Sequence, residues 1–249
     1  MARNLIVNGV TYNNVESLEM TDENGEKVLY TEGGTGGGDT TFEDGIVSRS
    51  ISGAYTNDRI TSVGQFAFRG CTKVTSFRFP KAKSVATNAI YGCTALTSID
   101  LPVCTSIAEN AFNGCSKLPS IVLPSLTSGD SYMFRYCYLL LTIDLPIIKN
   151  IVGNMFGDCR RLTAVILRST TMCTLANTSA FYNCYHFHGT KNSTYNPNSL
   201  KDGYIYVPAA LVEDYKAATN WSTFATQFRA LEDYTVDGTI TGELDETKI

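Results

Sequence analysis

The sequence predicts an α/β solenoid of stacked 22-residue coils, and three sets of repeated positions lead to this prediction. Four prolines recur every 22 residues, and an apolar or aromatic side chain lies three residues before each cysteine of a series. The cysteines of that series are spaced by 22, 22, 22, 22 and 25 residues: Cys71, Cys93, Cys115, Cys137, Cys159 and Cys184. A fixed period of this length indicates a repeat architecture in which each coil contacts only its neighbours.

Each coil contains one predicted strand, for example "LTSIDLP" at residues 96–102. The alternation predicts that Ile99 and Leu101 point inward while Ser98 and Asp100 point outward. The proline that follows removes a backbone donor and ends the strand. Stacked strands would form a parallel β-sheet on one face, and an L-x-x-L-x-L core with this period is typical of a leucine-rich repeat.

The segment after each strand, such as "SIAENAFNGC" at residues 106–115, predicts a short helical turn on the opposite face. Ile107, Ala111 and Phe112 have the spacing of a turn that faces the core. The cysteines that end these segments would lie about 4.8 Å apart with parallel side chains, which suits neither a disulfide nor a tetrahedral zinc site. We therefore expect six buried, structural free thiols. Cys104 and Cys173 lie outside this register, and the sequence gives them no role.

Five regions follow along the chain. Residues 1–32 contain two Asn-Gly pairs that predict two hairpins in a small β docking module, and residues 33–41 form a glycine-rich linker. Residues 42–203 form the solenoid, with a degenerate first coil in which Tyr55 precedes Phe77 by 22 residues. Residues 204–231 predict a strand and a helical cap with Trp221 in the core, and residues 232–249 form an acidic tail.

Composition excludes several classes of function. The formal net charge is −4 and no segment concentrates lysine and arginine with interleaved aromatic residues, so nucleic acid is not an expected partner. No apolar run approaches the ~20 residues of a membrane span. The first residues lack the apolar region of a secretory signal, so we expect synthesis in the cytoplasm without Sec export.

The residues that could carry chemistry do not form a catalytic or metal-binding pattern. Cys184, His186 and His188 could share one strand face, but Cys184 belongs to the repeat and no fourth ligand is identifiable. No nucleophile-elbow sequence occurs. Asp100 and Asp144 lie two coils apart on an open face, where we expect solvated surface acids. The sequence therefore predicts no enzyme, no metal and no cofactor.

Two surfaces are candidates for binding. The outward face of the sheet carries Arg78, Asp100 and Asp144 but no aromatic side chain. Tyrosines cluster instead beside the cysteine corner of the later coils: Tyr132, Tyr136, Tyr138, Tyr182 and Tyr185. Two interpretations of these rings stay open: they pack on the turn below, or they form a recognition edge, since tyrosine is enriched in binding sites.

The repeats "AFNGCSKLPSIVLP" (111–124), "AIYGCTALTSIDLP" (89–102) and "NMFGDCRRLTAVIL" (154–167) resemble the BspA-like leucine-rich repeats, a bacterial surface-antigen type. The resemblance covers residues 46–231, and residues 203–231 resemble the segment that closes such arrays. It implies adhesion or host-surface binding and brings no catalytic residue. The first residues and the glycine tract resemble the leader of versions encoded by bacteriophages of gut bacteria.

The sequence thus leads to three hypotheses. In the first, the chain is a non-catalytic binding module, anchored by residues 1–32 to a bacteriophage virion or to its own copies, that contacts protein or glycan on a host cell. In the second, it is a bacterial cell-surface adhesin of the same family. In the third, it is a structural particle protein whose solenoid packs against neighbouring subunits.

Overall fold

The computed structural model describes residues 51–187 and 202–234 in full and, before residue 51, the backbone of five strands. In these parts of the chain the strands are β1 (Asn4–Val7), β2 (Val10–Asn13), β3 (Leu18–Thr21), β4 (Lys27–Tyr30), β5 (Thr40–Thr41), β6 (Gly53–Thr56), β7 (Ile60–Val63), β8 (Val74–Arg78), β9 (Ser84–Val85), β10 (Ser98–Asp100), β11 (Ser106–Ile107), β12 (Ser120–Val122), β13 (Ser128–Gly129), β14 (Thr142–Asp144), β15 (Asn150–Ile151), β16 (Ala164–Ile166), β17 (Thr174–Leu175), β18 (Tyr204–Val207) and β19 (Phe228–Ala230). The single α-helix of the described residues is α1 (Val212–Ala217), and 3₁₀ turns span Thr178–Phe181, Ala209–Leu211, Trp221–Gln227 and Leu231–Asp233.

The solenoid has two columns of parallel strands, and the predicted 22-residue register sets both. In the first column β8 pairs with β6 and β10, and Tyr55 lies opposite Phe77, as the spacing predicts. In the second column β7, β9, β11 and β13 pair in turn, with Val63 opposite Val85. Each coil therefore contributes two short strands, where the sequence predicts one.

The segments before residue 41 are described as backbone only. β1 pairs antiparallel with β2, and β3 pairs antiparallel with β4, which agrees with the two predicted hairpins. β5 pairs parallel with β7, so the second column extends back to residue 40. The acidic tail beyond residue 234 and most of the predicted linker lie outside the described residues.

The third side of each coil is a run of tight turns, where the sequence predicts short helical turns. In the coil of Cys115, the Ala111 amide bonds the Ala108 carbonyl and the Cys115 amide bonds the Phe112 carbonyl, both three residues apart. The Phe112 amide bonds the carbonyl of Met133 in the next coil at 2.9 Å. Because successive coils are bonded here too, all three sides of the solenoid hold neighbouring coils together.

Pro119 divides the first column of strands. Thr97 donates its backbone N–H to Thr75 in the previous coil, and Leu141 donates to Pro119 in the same way. Proline has no N–H with which to continue this series. The first column accordingly consists of a three-stranded sheet ending at β10 and a five-stranded sheet beginning at β12.

A column of aromatic rings fills the centre of the solenoid. Phe134 stacks on Phe112 with ring centroids 5.3 Å apart and on Phe156 at 6.2 Å, with the planes nearly parallel. Phe156 in turn stacks on Phe181 at 5.4 Å. These rings are the apolar positions three residues before each cysteine, and all four are fully buried.

The six cysteines of the repeat are buried free thiols beside this column, and a hydrogen bond explains their position. Each thiol from Cys93 onward donates to a carbonyl of the preceding coil, three residues before that coil's own cysteine. For example, Cys137 donates to Phe112 at 3.3 Å and Cys159 donates to Phe134 at 3.0 Å. The thiol thus fills a small apolar space and also bonds the coil before it.

The C-terminal segment covers the last coil. Trp221 is buried, as predicted, and its indole N–H donates to the Cys173 carbonyl at 2.9 Å. The Cys173 amide donates to the Tyr215 hydroxyl, also at 2.9 Å. Cys173, to which the sequence gives no role, is therefore one of the points at which the cap is bonded to the repeats. Cys104 is also buried, and its thiol donates to the Ser106 carbonyl.

The prediction that Asp144 is a solvated acid on the sheet face is wrong. Asp144 is 8% exposed and accepts hydrogen bonds from Nε and Nη2 of Arg168, the shortest at 2.7 Å. A second apolar cluster covers the outer face of β16 beside it, formed by Ala164, Ile166 and Tyr206 with Tyr204, Leu231 and Tyr234. The C-terminal segment that covers the last coil therefore also covers the end of the sheet face.

Candidate binding edge

The turn side of the solenoid has two columns of residues with left-handed backbone conformation. The first column contains Phe66, Asn88, Asn110, Tyr132 and Asn154, with φ between 56° and 60°. The second column lies four residues later in each coil and contains Gly70, Gly92, Gly114, Tyr136, Asp158 and Asn183, with φ between 57° and 77°. Glycine, asparagine and aspartate are the residues that adopt this conformation most readily.

Tyr132 and Tyr136 break this pattern within one coil. Both have φ near 60°, in positions where most other coils have asparagine or glycine. A left-handed conformation costs a residue with a bulky side chain about 1–2 kcal/mol. Residues held in sparsely populated conformations cluster at binding and catalytic sites, because function maintains a residue that stability alone would not select.

Arg135 fixes the two tyrosine rings. Its guanidinium carbon lies 5.3 Å from the ring centroid of Tyr132 and 4.4 Å from that of Tyr136. Its Nε lies 3.5 Å from Oδ2 of Asp158, and Oδ1 of the same carboxylate accepts a hydrogen bond from Asn183 at 2.6 Å. Each cation–π contact stabilises this arrangement by about 0.5–1 kcal/mol, which offsets part of the backbone strain.

A second arginine continues the surface toward the C-terminal coils. The guanidinium carbon of Arg160 lies 5.0 Å from the ring centroid of Tyr138 and 5.8 Å from that of Tyr185. The Tyr136 and Tyr138 rings are 5.9 Å apart, which joins the two arginine clusters. Four of the five predicted tyrosines therefore belong to one continuous surface.

The same arrangement occurs once more, three coils earlier. The Arg69 guanidinium carbon lies 5.4 Å from the Phe66 ring and 5.1 Å from the Tyr91 ring, and Arg69 is exposed. Phe66 occupies the same left-handed column as Tyr132. We call this surface the arginine–aromatic edge, formed by Phe66, Arg69, Tyr91, Tyr132, Arg135, Tyr136, Tyr138, Arg160 and Tyr185.

The sequence contained a signal for the arginines that the prediction from tyrosine alone missed. In "FAFR" and "YMFR" an aromatic residue at the first left-handed position is followed three residues later by Arg69 or Arg135. In "NAIY", "NAFN" and "NMFG" the first position is asparagine and the fourth is not arginine. The aromatic residue and the arginine thus change together between coils.

The turn side of the solenoid carries an excess of basic residues. The turn segments 64–73, 86–95, 108–117, 130–139, 152–161 and 177–185 contain six basic and three acidic residues, although the whole chain has a net charge of −4. The basic residues are Arg69, Lys73, Lys117, Arg135, Arg160 and Arg161, and the acidic ones are Glu109, Asp130 and Asp158. This surface therefore attracts negative charge.

The remaining predicted site residues lie elsewhere. Tyr182 is 38% exposed on the turn side, and no ring contact joins it to the other tyrosines among the described residues. Arg78 and Asp100 lie on the sheet face, where Nε of Arg78 is 3.3 Å from Asp100 and Nη1 is 3.2 Å from Asp58. These charges already pair with one another, and the structure does not bring them to the arginine–aromatic edge.

The described residues show no cluster of side chains suited to a metal ion. No group of three His, Cys, Asp or Glu side chains that could hold a metal ion occurs in this part of the chain. Cys184 donates to the Phe156 carbonyl, and His186 Nδ1 lies 2.6 Å from Asp202, while His188 is outside the described residues. None of the helices in the described parts is long and apolar enough to cross a membrane.

The fold is that of a leucine-rich repeat solenoid, and the arginine–aromatic edge lies on its turn side. A family model described as BspA type leucine-rich repeat region matches in six copies, over residues 42–163 and 83–197. The chain belongs to this family, and it is a repeat protein of the surface or binding class. A comparison with curated proteins gave no match.

Three solved structures are similar to parts of this chain, and the first of them supports the solenoid fold. The pneumococcal vaccine antigen PcpA is 13% identical over 72% of this chain and 40% of its own, with a TM-score of 0.53. A leucine-rich cell surface protein from Faecalibacterium prausnitzii is 25% identical, with a TM-score of 0.41. That alignment covers 49% of this chain and 40% of that protein. The T. pallidum leucine-rich repeat protein is 24% identical over 61% of this chain and 83% of its own, with a TM-score of 0.43.

Proposed function

We propose that the chain is a non-catalytic binding and adhesion module that contacts its partner through the arginine–aromatic edge. One observation carries the proposal: Tyr132 and Tyr136 occupy left-handed positions where most other coils have asparagine or glycine. Tyrosine and arginine are, with tryptophan, the side chains enriched at the energetic centres of protein interfaces. Because Arg135 already orders both rings, a partner would meet them with little further loss of side-chain entropy.

We propose further that residues 1–32 attach this module to a larger particle, a bacteriophage virion, on which many copies face the host cell. The resemblance of the leader and glycine tract to phage-encoded versions of the family supports this part. Two short hairpins have too little core to be stable alone, which also supports a docking role. A bacterial cell-surface adhesin would use the same edge, whereas a purely structural particle protein would not need it.

Replacing the strained tyrosines by the residues of neighbouring coils tests the binding edge. We expect the double variant Tyr132→Asn/Tyr136→Gly of the full-length chain to bind intact bacterial cells at least ~tenfold more weakly than the parent, since loss of an interface tyrosine costs about 2 kcal/mol. Its melting temperature should not fall, because both new residues accept the left-handed conformation. The measurement is saturation binding of labelled chain to a panel of gut bacterial isolates, beside thermal unfolding.

A sheet-face variant provides the control. Val122 is 58% exposed on the sheet face, and Val122→Ser should leave cell binding unchanged. Loss of binding in Val122→Ser with retention in the tyrosine variant would place the contact on the sheet instead. A parent chain that binds no cells saturably yet oligomerises would favour the structural particle protein.

The assembly role of residues 1–32 has its own test. We expect the full-length chain to form an oligomer in solution, and a chain beginning at Asp39 to be monomeric with an unchanged solenoid, because β5 is retained in it. Light scattering gives both masses, and circular dichroism checks the fold. Equal masses for the two chains would remove the self-association part of the proposal.

A further inference from the structure

The two ordered arginines of the C-terminal part of the edge differ in what surrounds their charge. Arg135 is close to Asp158, so its charge is balanced within the protein. Arg160 is exposed, and among the fully described residues no carboxylate forms an ion pair with it. Its guanidinium is nevertheless held between the rings of Tyr138 and Tyr185.

An exposed arginine that is stacked on aromatic rings and forms no ion pair is preorganised to bind a carboxylate. The guanidinium presents a planar fork of N–H donors that matches the two oxygens of a carboxylate, and such bidentate bonds are among the strongest in proteins. Stacking on aromatic rings restricts the side chain before the ligand arrives, so less entropy is lost on binding. Stacking engages the faces of a guanidinium, whereas its N–H donors lie in the plane of the group and point outward along its edge.

Building on the function proposed above, we propose that the partner is an acidic polypeptide segment and that Arg160 binds one of its carboxylates. The turn side has an excess of positive charge, which is complementary to such a segment. In the clusters around Arg69, Arg135 and Arg160 a guanidinium group lies over each ring, which leaves less open aromatic face for a neutral sugar ring to stack on.

The spacing along the solenoid suits an extended chain. Arg69 and Arg160 lie four coils apart, about 19 Å at ~4.8 Å per coil. Both are exposed and stacked between aromatic rings. An extended segment of about six residues at ~3.3 Å each would reach from one to the other. Arg69 therefore provides a second carboxylate site on the same partner.

The test uses the full-length chain and a defined probe, a fluorescein-labelled oligo-glutamate peptide of about eight residues, which spans both arginines when extended. Fluorescence anisotropy should show Arg160→Gln binding the peptide about tenfold more weakly than the parent, the loss expected for a charge-assisted hydrogen bond. Arg160→Lys keeps the charge but not the fork and should lose about threefold or more. The matched control Arg161→Gln removes the same charge one residue away and should lose less than about threefold.

The outcomes separate this inference from the proposed function. Equal losses for Arg160→Gln and Arg161→Gln would indicate unspecific attraction and overturn the role of Arg160. Heparin that displaces the peptide, with binding insensitive to Arg160→Lys, would identify a sulfated polysaccharide and overturn the acidic polypeptide. A chain that ignores oligo-glutamate but still binds cells through Tyr132 and Tyr136 would overturn only this inference. Peptide binding that depends on Arg160, without cell binding, would support it and remove the adhesion role.

Discussion

Replacing Phe134 by alanine is expected to lower the free energy of unfolding by about 3–5 kcal/mol, the range for a fully buried phenylalanine. The ring lies in the central column between Phe112 and Phe156, and no part of it reaches solvent. Its loss leaves a cavity that the parallel backbones on either side cannot close, because the coil of Phe134 is bonded to its neighbours on three sides. Domains of this size have a total stability of about 5–15 kcal/mol, so the variant would lose a large part of it.

The chain contains its own matched control for this variant. Ile90 occupies the equivalent position in an earlier coil and is fully buried there. Phe134→Ile should therefore cost under about 2 kcal/mol, since it restores most of the lost volume. Urea unfolding of the parent and both variants gives the comparison. Equal losses for alanine and isoleucine would show that ring stacking specific to phenylalanine, and not filled volume, stabilises the column.

The repeat could be predicted because every coil buries side chains at the same positions. A position that must be buried in each coil recurs at a fixed interval, so the spacing of Cys71 and Cys93 and the pairing of Tyr55 with Phe77 are visible without coordinates. The first coil was predicted on this basis although it lacks the cysteine. The local structure of the residues between the repeated positions was harder to predict, since nothing in their spacing distinguishes a helical turn from two tight turns.

The burial of Asp144 could not be predicted from its place in the repeat. By register it points outward like Asp100, which is on the exposed side of β10. What covers Asp144 comes from outside the repeat: Arg168 follows the next strand, and the cluster around Tyr206 and Leu231 comes from the closing segment. A contact between distant segments leaves no periodic signal.

The arginine–aromatic edge was predicted in part, from the density of tyrosine. Composition indicated that Tyr132, Tyr136, Tyr138 and Tyr185 belong together, and the structure places all four on one surface. The prediction from composition gave no weight to the arginines, because a single arginine on a turn is usually a solvated charge. Comparison of aligned coils, in place of single positions, would have found the aromatic residue and arginine that replace asparagine together.

The second large effect is expected at alkaline pH, because the structure buries its cysteines as neutral thiols. Burial raises the pKa of Cys104 and of Cys173 to about 11, and that of Cys137 to about 12. Burial also raises the pKa of the thiols of Cys93, Cys115, Cys159 and Cys184. In the unfolded chain a cysteine has a pKa near ~8.5.

The sign of the effect follows from these directions. Below pH ~8.5 the thiols are protonated in both states, and their burial stabilises the fold in full. Above that pH the unfolded chain releases thiol protons while the folded chain retains them, so the free energy of unfolding falls. Seven thiols together would lose on the order of 10 kcal/mol by one pH unit above the unperturbed value. We therefore expect thermal stability to collapse between pH ~9 and ~10 in the presence of reductant.

A single substitution distinguishes this cause from general alkaline unfolding. The Cys137 thiol donates a hydrogen bond to the Phe112 carbonyl, and a thiolate could not donate it. At pH 7 Cys137→Ala should be less stable than the parent by about 1–2 kcal/mol, because a buried sulfur is lost. As the pH rises the parent loses stability faster by one proton, so the two curves converge and meet near pH ~10. Parallel curves from pH 7 to 10 would mean that the buried thiols do not control alkaline stability, whereas convergence would show that the fold depends on the protonation of its buried cysteines.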